Sequence, residues 1–239
     1  MSLPVILLLF LIFIATSWMG YKRLLRLRHL TQRRLAYGFL AAMAILTLMT
    51  AAQWMGYFPQ HIAAKFTMGL YTAVAGFFMG FAFKQFILRR KTGNMEYAYR
   101  SFWTEAVPNL ISILLISFGL YRMQLFTLGP FTGIGLTSGL SLLAFGLLGV
   151  TMRIVPEFRQ KGIMILDRLV PWQEVVAYRW HRENVIQIDY LNANSELTDF
   201  TTAIPAEDHL IIERLLGKKL KEHEEQRKKI LKKRDQPGH

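Results

Sequence analysis

The chain has 239 residues, 52% of them hydrophobic and only 19% charged, against about a quarter charged in an ordinary soluble domain, which argues against a wholly water-soluble protein. Its net charge of +13 lies in short clusters beside apolar runs, where the preference of cationic loops for the cytoplasmic side accounts for it, so no nucleic-acid partner is expected. The absence of cysteine excludes disulfides, thiolate metal sites and cysteine nucleophiles.

A helix needs about 20 apolar residues to cross a hydrocarbon core of about 30 Å, and five stretches qualify. The first is LPVILLLFLIFIATSWMG, residues 3–20. No Lys or Arg precedes it and the cationic cluster follows it, so it reads as an anchor and not as a cleaved signal. That cluster, YKRLLRLRHLTQRR at 21–34, holds six Lys and Arg and is expected to stay in the cytoplasm, which leaves the N-terminus outside. The second span runs from about Leu35 to Phe58 and the third from Phe66 to Leu88. The fourth, Ser101 to Tyr121, is the most polar, and the fifth, Leu128 to Met152, is rich in Gly and Leu. Between spans two and three only Lys65 is basic, whereas Arg89, Arg90, Lys91 and Arg100 follow span three. Arg122 alone separates spans four and five, and Arg153, Arg159 and Lys161 come after five. The alternation predicts an N-out, C-in bundle of five transmembrane helices over residues 1–152; an even count would put one basic loop on the wrong side.

Within the bundle, Gly76 with Gly80 and Gly135 with Gly139 are small residues four apart, a spacing that lets helix backbones approach closely. Packing inside the bundle is the first expectation and homo-oligomerisation through either pair the second. Lys84, near the cytoplasmic end of span three, and Glu105, near the start of span four, are the two ionisable residues within spans. Their similar depth makes a pair feasible, and Asn109 lies one turn from Glu105 on the same face. Pro108 is expected to kink the helix. An acid, an amide, a lysine and a broken helix would suit a transporter site. The simpler reading has Lys84 snorkelling and Glu105 at the interface.

After residue 152 the pattern changes. RQKGIMILD alternates Ile163 and Ile165 after Gly162. VVAYRW puts Val176, Tyr178 and Trp180 on one face, with Val175, Ala177 and Arg179 on the other. After the polar turn HREN, VIQIDYL places Ile186, Ile188 and Tyr190 together. NANS is a second turn, and ELTDFTT is a last strand with Leu197 and Phe200 inward. This is an antiparallel meander whose apolar face needs a cover. The following helix, PAEDHLIIERLLGKKLKE, supplies one through Leu210, Ile211, Leu215 and Leu220, with Ile212 and Leu216 flanking. Trp172 and Trp180 are then core residues of a small α+β cytoplasmic domain over 153–220.

The residues Gly162-Ile163, Trp172, Val175, Tyr178 and Trp180 follow a G-I…W-x-x-[IV]-x-x-[YF]-x-W pattern. In element order and in this pattern the stretch resembles the pleckstrin-homology-like (PH-like) domains of membrane-anchored bacterial proteins of uncharacterised function. The resemblance covers about residues 153–220. It implies a scaffold for lipid or peptide binding; the spans and the charge alternation make the expected setting an integral protein of the bacterial inner membrane with this domain cytoplasmic.

No histidine stands at ligand spacing to another, no Gly-rich loop follows a strand and opens a helix, and no nucleophile has a base beside it in sequence. No enzyme activity, metal or cofactor is therefore expected. The exposed residues around Arg179, His181 and Arg182 are the expected binding edge. From Lys218 to Asp235, nine Lys and Arg face four acids, a basic tail (221–239) suited to anionic headgroups at about 1 kcal/mol per cation or simply solvated. Membrane lipids and another membrane complex are the expected partners. The function read from the sequence is that of an adaptor, assembly factor or lipid or peptide sensor, with a small transporter or channel using Glu105, Asn109 and Lys84 as the alternative.

Overall fold

The computed structural model describes residues 2–23, 59–126, 130–153, 155–192 and 196–226, together with scattered positions between 37 and 57 and Lys228. The chain divides into two compact units, one of residues Met1–Ile87 and Glu105–Met152, the other of Leu88–Thr104 and Arg153–His239.

The first unit is helical. Helix α1 (Leu3–Lys22) opens with Pro4 in its first turn, where the missing N–H costs nothing. Helix α2 (Gln60–Lys91) is 32 residues long, about 48 Å at 1.5 Å per residue, and its last turn belongs to the second unit. Helix α3 (Val107–Arg122) is preceded by a single π-helical turn, Phe102–Ala106, and helix α4 covers Gly133–Thr151. Four helices among the described residues are long and apolar enough to cross a membrane. They match the expected first, third, fourth and fifth spans. The expected second span, Leu35–Phe58, lies largely outside the described residues. The expected kink at Pro108 takes a particular form. Its residue has no N–H to give a carbonyl one turn back, and the helix answers with a π turn ahead of it and starts its α-helical register at Val107.

The helices pack through small residues. A Cβ on Gly80 would run into the Ser17 carbonyl, and one on Gly76 into Phe13 and Thr16, so both contact α1. Gly139 faces the Gly119 carbonyl of α3, while Gly135 meets the side chain of Thr132, the N-cap of its helix, and then the Arg122 carbonyl of α3. The Gly76, Gly80 and Gly139 contacts are thus used within the chain. Phe81, Ala82 and Leu148 form a buried α2–α4 cluster, with Phe78 packed edge-on against Phe145 at 5.0 Å. Leu7, Leu8, Phe10, Leu11, Leu114 and Phe118 are exposed, the inverse of a water-soluble surface and compatible with lipid.

The second unit is a small antiparallel domain with a C-terminal helix. Strands β1 (Met95–Ala98), β2 (Glu157–Arg159), β3 (Gly162–Ile165) and β4 (Arg168–Pro171) form one sheet in that order. Strands β5 (Val175–Arg182), β6 (Val185–Leu191) and β7 (Leu197–Ala203) form the other. Helix α5 (His209–Glu222) follows a 3-10 turn at Ala206–Asp208. The core unites both sheets and the helix through Phe158, Ile163, Trp172, Ile188 and Ile212 among others. Trp172 stands in a 3-10 turn between the sheets, fully buried, and its indole donates to the carbonyls of Arg159 and Gln160 at 3.0 and 3.1 Å. Gly162 has φ +157° and a Cβ there would collide with the Val170 carbonyl, which accounts for the glycine of the G-I pair.

Four details differ from the sequence reading. The compact unit is not confined to 153–220, because the segment after α2 supplies β1, which pairs with β2. Val175 was placed opposite Tyr178 and Trp180, yet all three pack on the core. A register shift between Val175 and Ala177 inserts a residue and so changes the face on which alternation falls. Leu197 is 56% exposed while Phe200 packs inward, as positions three apart on a strand must point opposite ways. On α5 the stripe is centred on Ile212 and Leu216, fully buried, and Leu210 and Ile211 face outward.

Candidate ligand-binding face of the second unit

Strand β5 is the edge of its sheet, and near its end a second register shift, between Trp180 and Arg182, twists the strand toward the start of α5. Trp180 lies against His209 with ring centroids 3.9 Å apart and planes tilted by 31°, and its indole N–H donates to Glu213 at 2.8 Å. His209 lies 3.3 Å by Nε2 from the Ile204 carbonyl, which anchors the ring at the helix start. Around this ring pair an open depression of about 570 Å³ is lined by Trp180, His181, Glu183, Asn184, Ala206 and His209. Two imidazoles, an indole face, an amide and a carboxylate offer stacking and hydrogen bonding of both senses. The groove provides recognition groups and no activated nucleophile.

Of the expected edge residues, His181 is exposed and lines this depression. Arg179 lies beside β6, its Nε donating to Gln187 at 3.3 Å and its guanidinium 4.0 Å from Asp189. Arg182 ends β5 opposite Val185. His209 and Asn184 were not foreseen: a histidine in a first helical turn carries no signal until the twist of β5 brings Trp180 to it.

Lys84 holds its ammonium 4.6 Å from the Tyr21 ring centroid, a cation–π contact. Glu105 stands in the π turn.

A second polar constellation escaped the sequence reading. Glu157 of β2 is 4% exposed and is held by three arginines. Arg159 reaches its Oε2 through two nitrogens at 2.8 Å, Arg89 its Oε1 at 3.1 Å and Arg153 the same oxygen at 3.8 Å. Arg159 also donates to the carbonyls of Arg89 and Gly93, satisfying backbone acceptors at the end of α2. Its one sequence signal is a lone acid among cations in RIVPEFRQK.

Strand β1 is tied to α5 as well as to β2. The Tyr97 hydroxyl donates to Asp208 at 2.8 Å, and Lys219 meets Glu96 at 2.8 Å. Burial, reinforced by the Asp208 carboxylate, pushes the Tyr97 phenol well above its usual range. Burial also raises the Glu174 carboxyl, against the opposing pull of Arg168 at 3.7 Å.

Neither a curated protein nor a solved structure matches the chain significantly. Residues 155–221, from two residues before β2 to the last turn of α5 and without β1, match the model of a family described as a domain of unknown function, DUF5673.

Proposed function

We propose that the protein is an integral membrane protein of five spans that carries a PH-like binding domain on the cytoplasmic side and works as an adaptor or as a sensor of a lipid or peptide. Seven strands in a four-stranded and a three-stranded sheet, closed by a C-terminal helix, support the PH-like reading. The observation that carries the membrane-adaptor reading is β1. It comes from between two apolar helices and is hydrogen-bonded into the sheet of the C-terminal segment, so the domain is assembled from two polar segments of the chain. The depression beside Trp180 supplies the binding face. Transport is the lesser reading, because Lys84 is engaged with the Tyr21 ring.

The test is co-purification from native membranes in mild detergent, wild type against His181→Glu with Asn184→Arg. Both positions are exposed, so the fold is retained. A stoichiometric protein or lipid that is lost with the double variant supports the binding domain. Equal recovery from both proteins refutes the groove as the binding site.

A further inference from the structure

The first unit, residues 1–87 and 105–152, contains nine Lys and Arg and a single acid, Glu105. One carboxylate cannot neutralise nine cations, so the unit carries a surplus of positive charge however Glu105 is paired. Two of the cations stand at the same end of α1 and α2. Those helices run in the same direction, because Phe13 faces Gly76, Ser17 faces Gly80 and Tyr21 meets Lys84, four residues further along both helices at each step. Lys22 holds its ammonium 4.9 Å from the Trp18 ring centroid, as Lys84 does 4.6 Å from that of Tyr21. The two rings stack with centroids 6.4 Å apart. A ring face attracts a cation through its quadrupole but leaves the charge uncancelled. Leading up to this end, one face of α1 is apolar and open. Leu7, Leu11, Ile14, Trp18 and Lys22 recur at spacings of three and four, which puts them on one face, and all five are exposed. From Leu11 to Lys22 the helix rises about 16 Å, close to half of a hydrocarbon core of about 30 Å and so to the depth of one leaflet.

We propose that this face of α1 holds an anionic phospholipid, with the acyl chain along Leu11 and Ile14 and the phosphate on Lys22, while Lys84 adds positive potential at the same end. An apolar stripe that ends in an aromatic ring and a cation matches a chain in line with a charged headgroup, whereas a soluble phosphate would leave the stripe unused. Both helices are candidate spans, so their cationic end lies at headgroup level in a bilayer, and lysine meets phosphate there as a point charge. The site belongs to the first unit and is separate from the depression beside Trp180; it rests on the membrane reading above.

Full-length protein in mild detergent is titrated with phosphatidylglycerol or phosphatidylcholine, with and without inorganic phosphate, and bound species are counted by native mass spectrometry. Three variants accompany the wild type: Lys22→Gln, Lys22→Arg, and Lys65→Gln as an exposed cation near the start of α2. Phosphatidylglycerol is expected to outcompete phosphatidylcholine, and Lys22→Gln to weaken it about tenfold, the loss of one charge-assisted contact. Lys22→Arg is expected to retain binding, and Lys65→Gln to stay within about twofold of wild type. Equal losses from Lys22→Gln and Lys65→Gln would reduce the effect to general surface charge and overturn the site. Equal binding of the two lipids by the wild type would overturn the part given to the cations. Displacement of phosphatidylglycerol by an equal concentration of inorganic phosphate would overturn the lipid as the source of the phosphate. Far-UV circular dichroism confirms that each variant is folded. The membrane reading is tested separately by alkaline extraction: release into the soluble fraction would refute that reading, whatever the titration gives.

Discussion

The sharpest test of how the second unit is held together is Glu157→Gln, which keeps shape and removes one charge. The carboxylate meets guanidinium nitrogens at 2.8, 3.1 and 3.8 Å. At an effective dielectric of about 20, a unit-charge pair near 3 Å is worth about 5 kcal/mol before desolvation. Breaking a buried pair while its partners stay costs about 3–5 kcal/mol. Glutamine retains one carbonyl acceptor but turns an amide toward cations that can only donate, so the cost is expected near 3 kcal/mol, the lower end of that range. In a domain of this size each kcal/mol moves the melting temperature by about 4–8 °C, and the loss should be at least about 12 °C. The assay is near-UV circular dichroism on heating, since the buried Trp172 indole donates to the Arg159 carbonyl two residues from the substitution. Glu222→Gln, which removes a half-exposed carboxylate 3.9 Å from Lys218, is the control and should change stability by no more than about 0.5 kcal/mol. A shift for Glu157→Gln below about 3 °C, or one no larger than the control, would show that the arginines do not depend on this acid.

Three further outcomes follow from the geometry. Tyr97→Phe removes the hydroxyl that donates to Asp208 and should destabilise the domain by about 1–2 kcal/mol in chemical denaturation. That difference should fade above pH 10, because a phenol raised by folding contributes stability only until it ionises. Glu174 is also raised by folding, so its contribution is complete below the ordinary value of 4.5 and declines as pH climbs through the raised one. Glu174→Gln should therefore gain stability over wild type at pH 7 and lose that advantage near pH 4 in a pH series of melts. Gly80→Val puts a branched side chain where the Ser17 carbonyl lies and should break the α1–α2 contact, read as loss of cross-linking between cysteines placed at Phe13 and Thr72.

Much of this architecture was legible in residue periodicity, and each omission has a physical reason. Apolar length alone marked four of the helices, because a lipid-facing helix needs no alternation to be recognised. The strands around Ile186, Ile188 and Tyr190 were plain from their period of two. Val175 was misplaced because a bulge adds a residue without changing the sequence pattern, and Leu197 because burial was assigned to hydrophobicity ahead of spacing. Strand β1 was invisible: MEYA is four residues long and 59 residues before its partner β2 begins at Glu157 in the chain, and no local signal reports a pairing that distant. The candidate site was half seen. His181 follows from its place at a polar turn, but His209 and the Glu157 cluster exist only once strands and helix ends are brought together.

The borrowed strand sets a condition on any attempt to isolate the domain. Residues 153–239 alone would leave β2 as a bare edge, with Phe158 stripped of the Tyr97 ring that meets it at 5.8 Å. Asp208 and Lys219 would lose Tyr97 and Glu96, and Glu157 would lose Arg89. Exposing the Phe158 side chain alone is worth up to about 1.5–3 kcal/mol, in a domain whose whole stability is on the order of 5–15 kcal/mol. The segment 153–239 expressed by itself should therefore melt early or bind an apolar dye. Joining 88–104 ahead of it through a flexible linker should restore a cooperative melt, and joining the same segment with Tyr97→Ala should not. If 153–239 alone melts as sharply and as high as the fusion, β1 is an ornament of the sheet and not part of its foundation. The boundary at residue 153 would then stand. If only the fusion folds, the unit of function includes the segment between α2 and α3, and whatever binds the domain acts on a sheet to which that segment belongs.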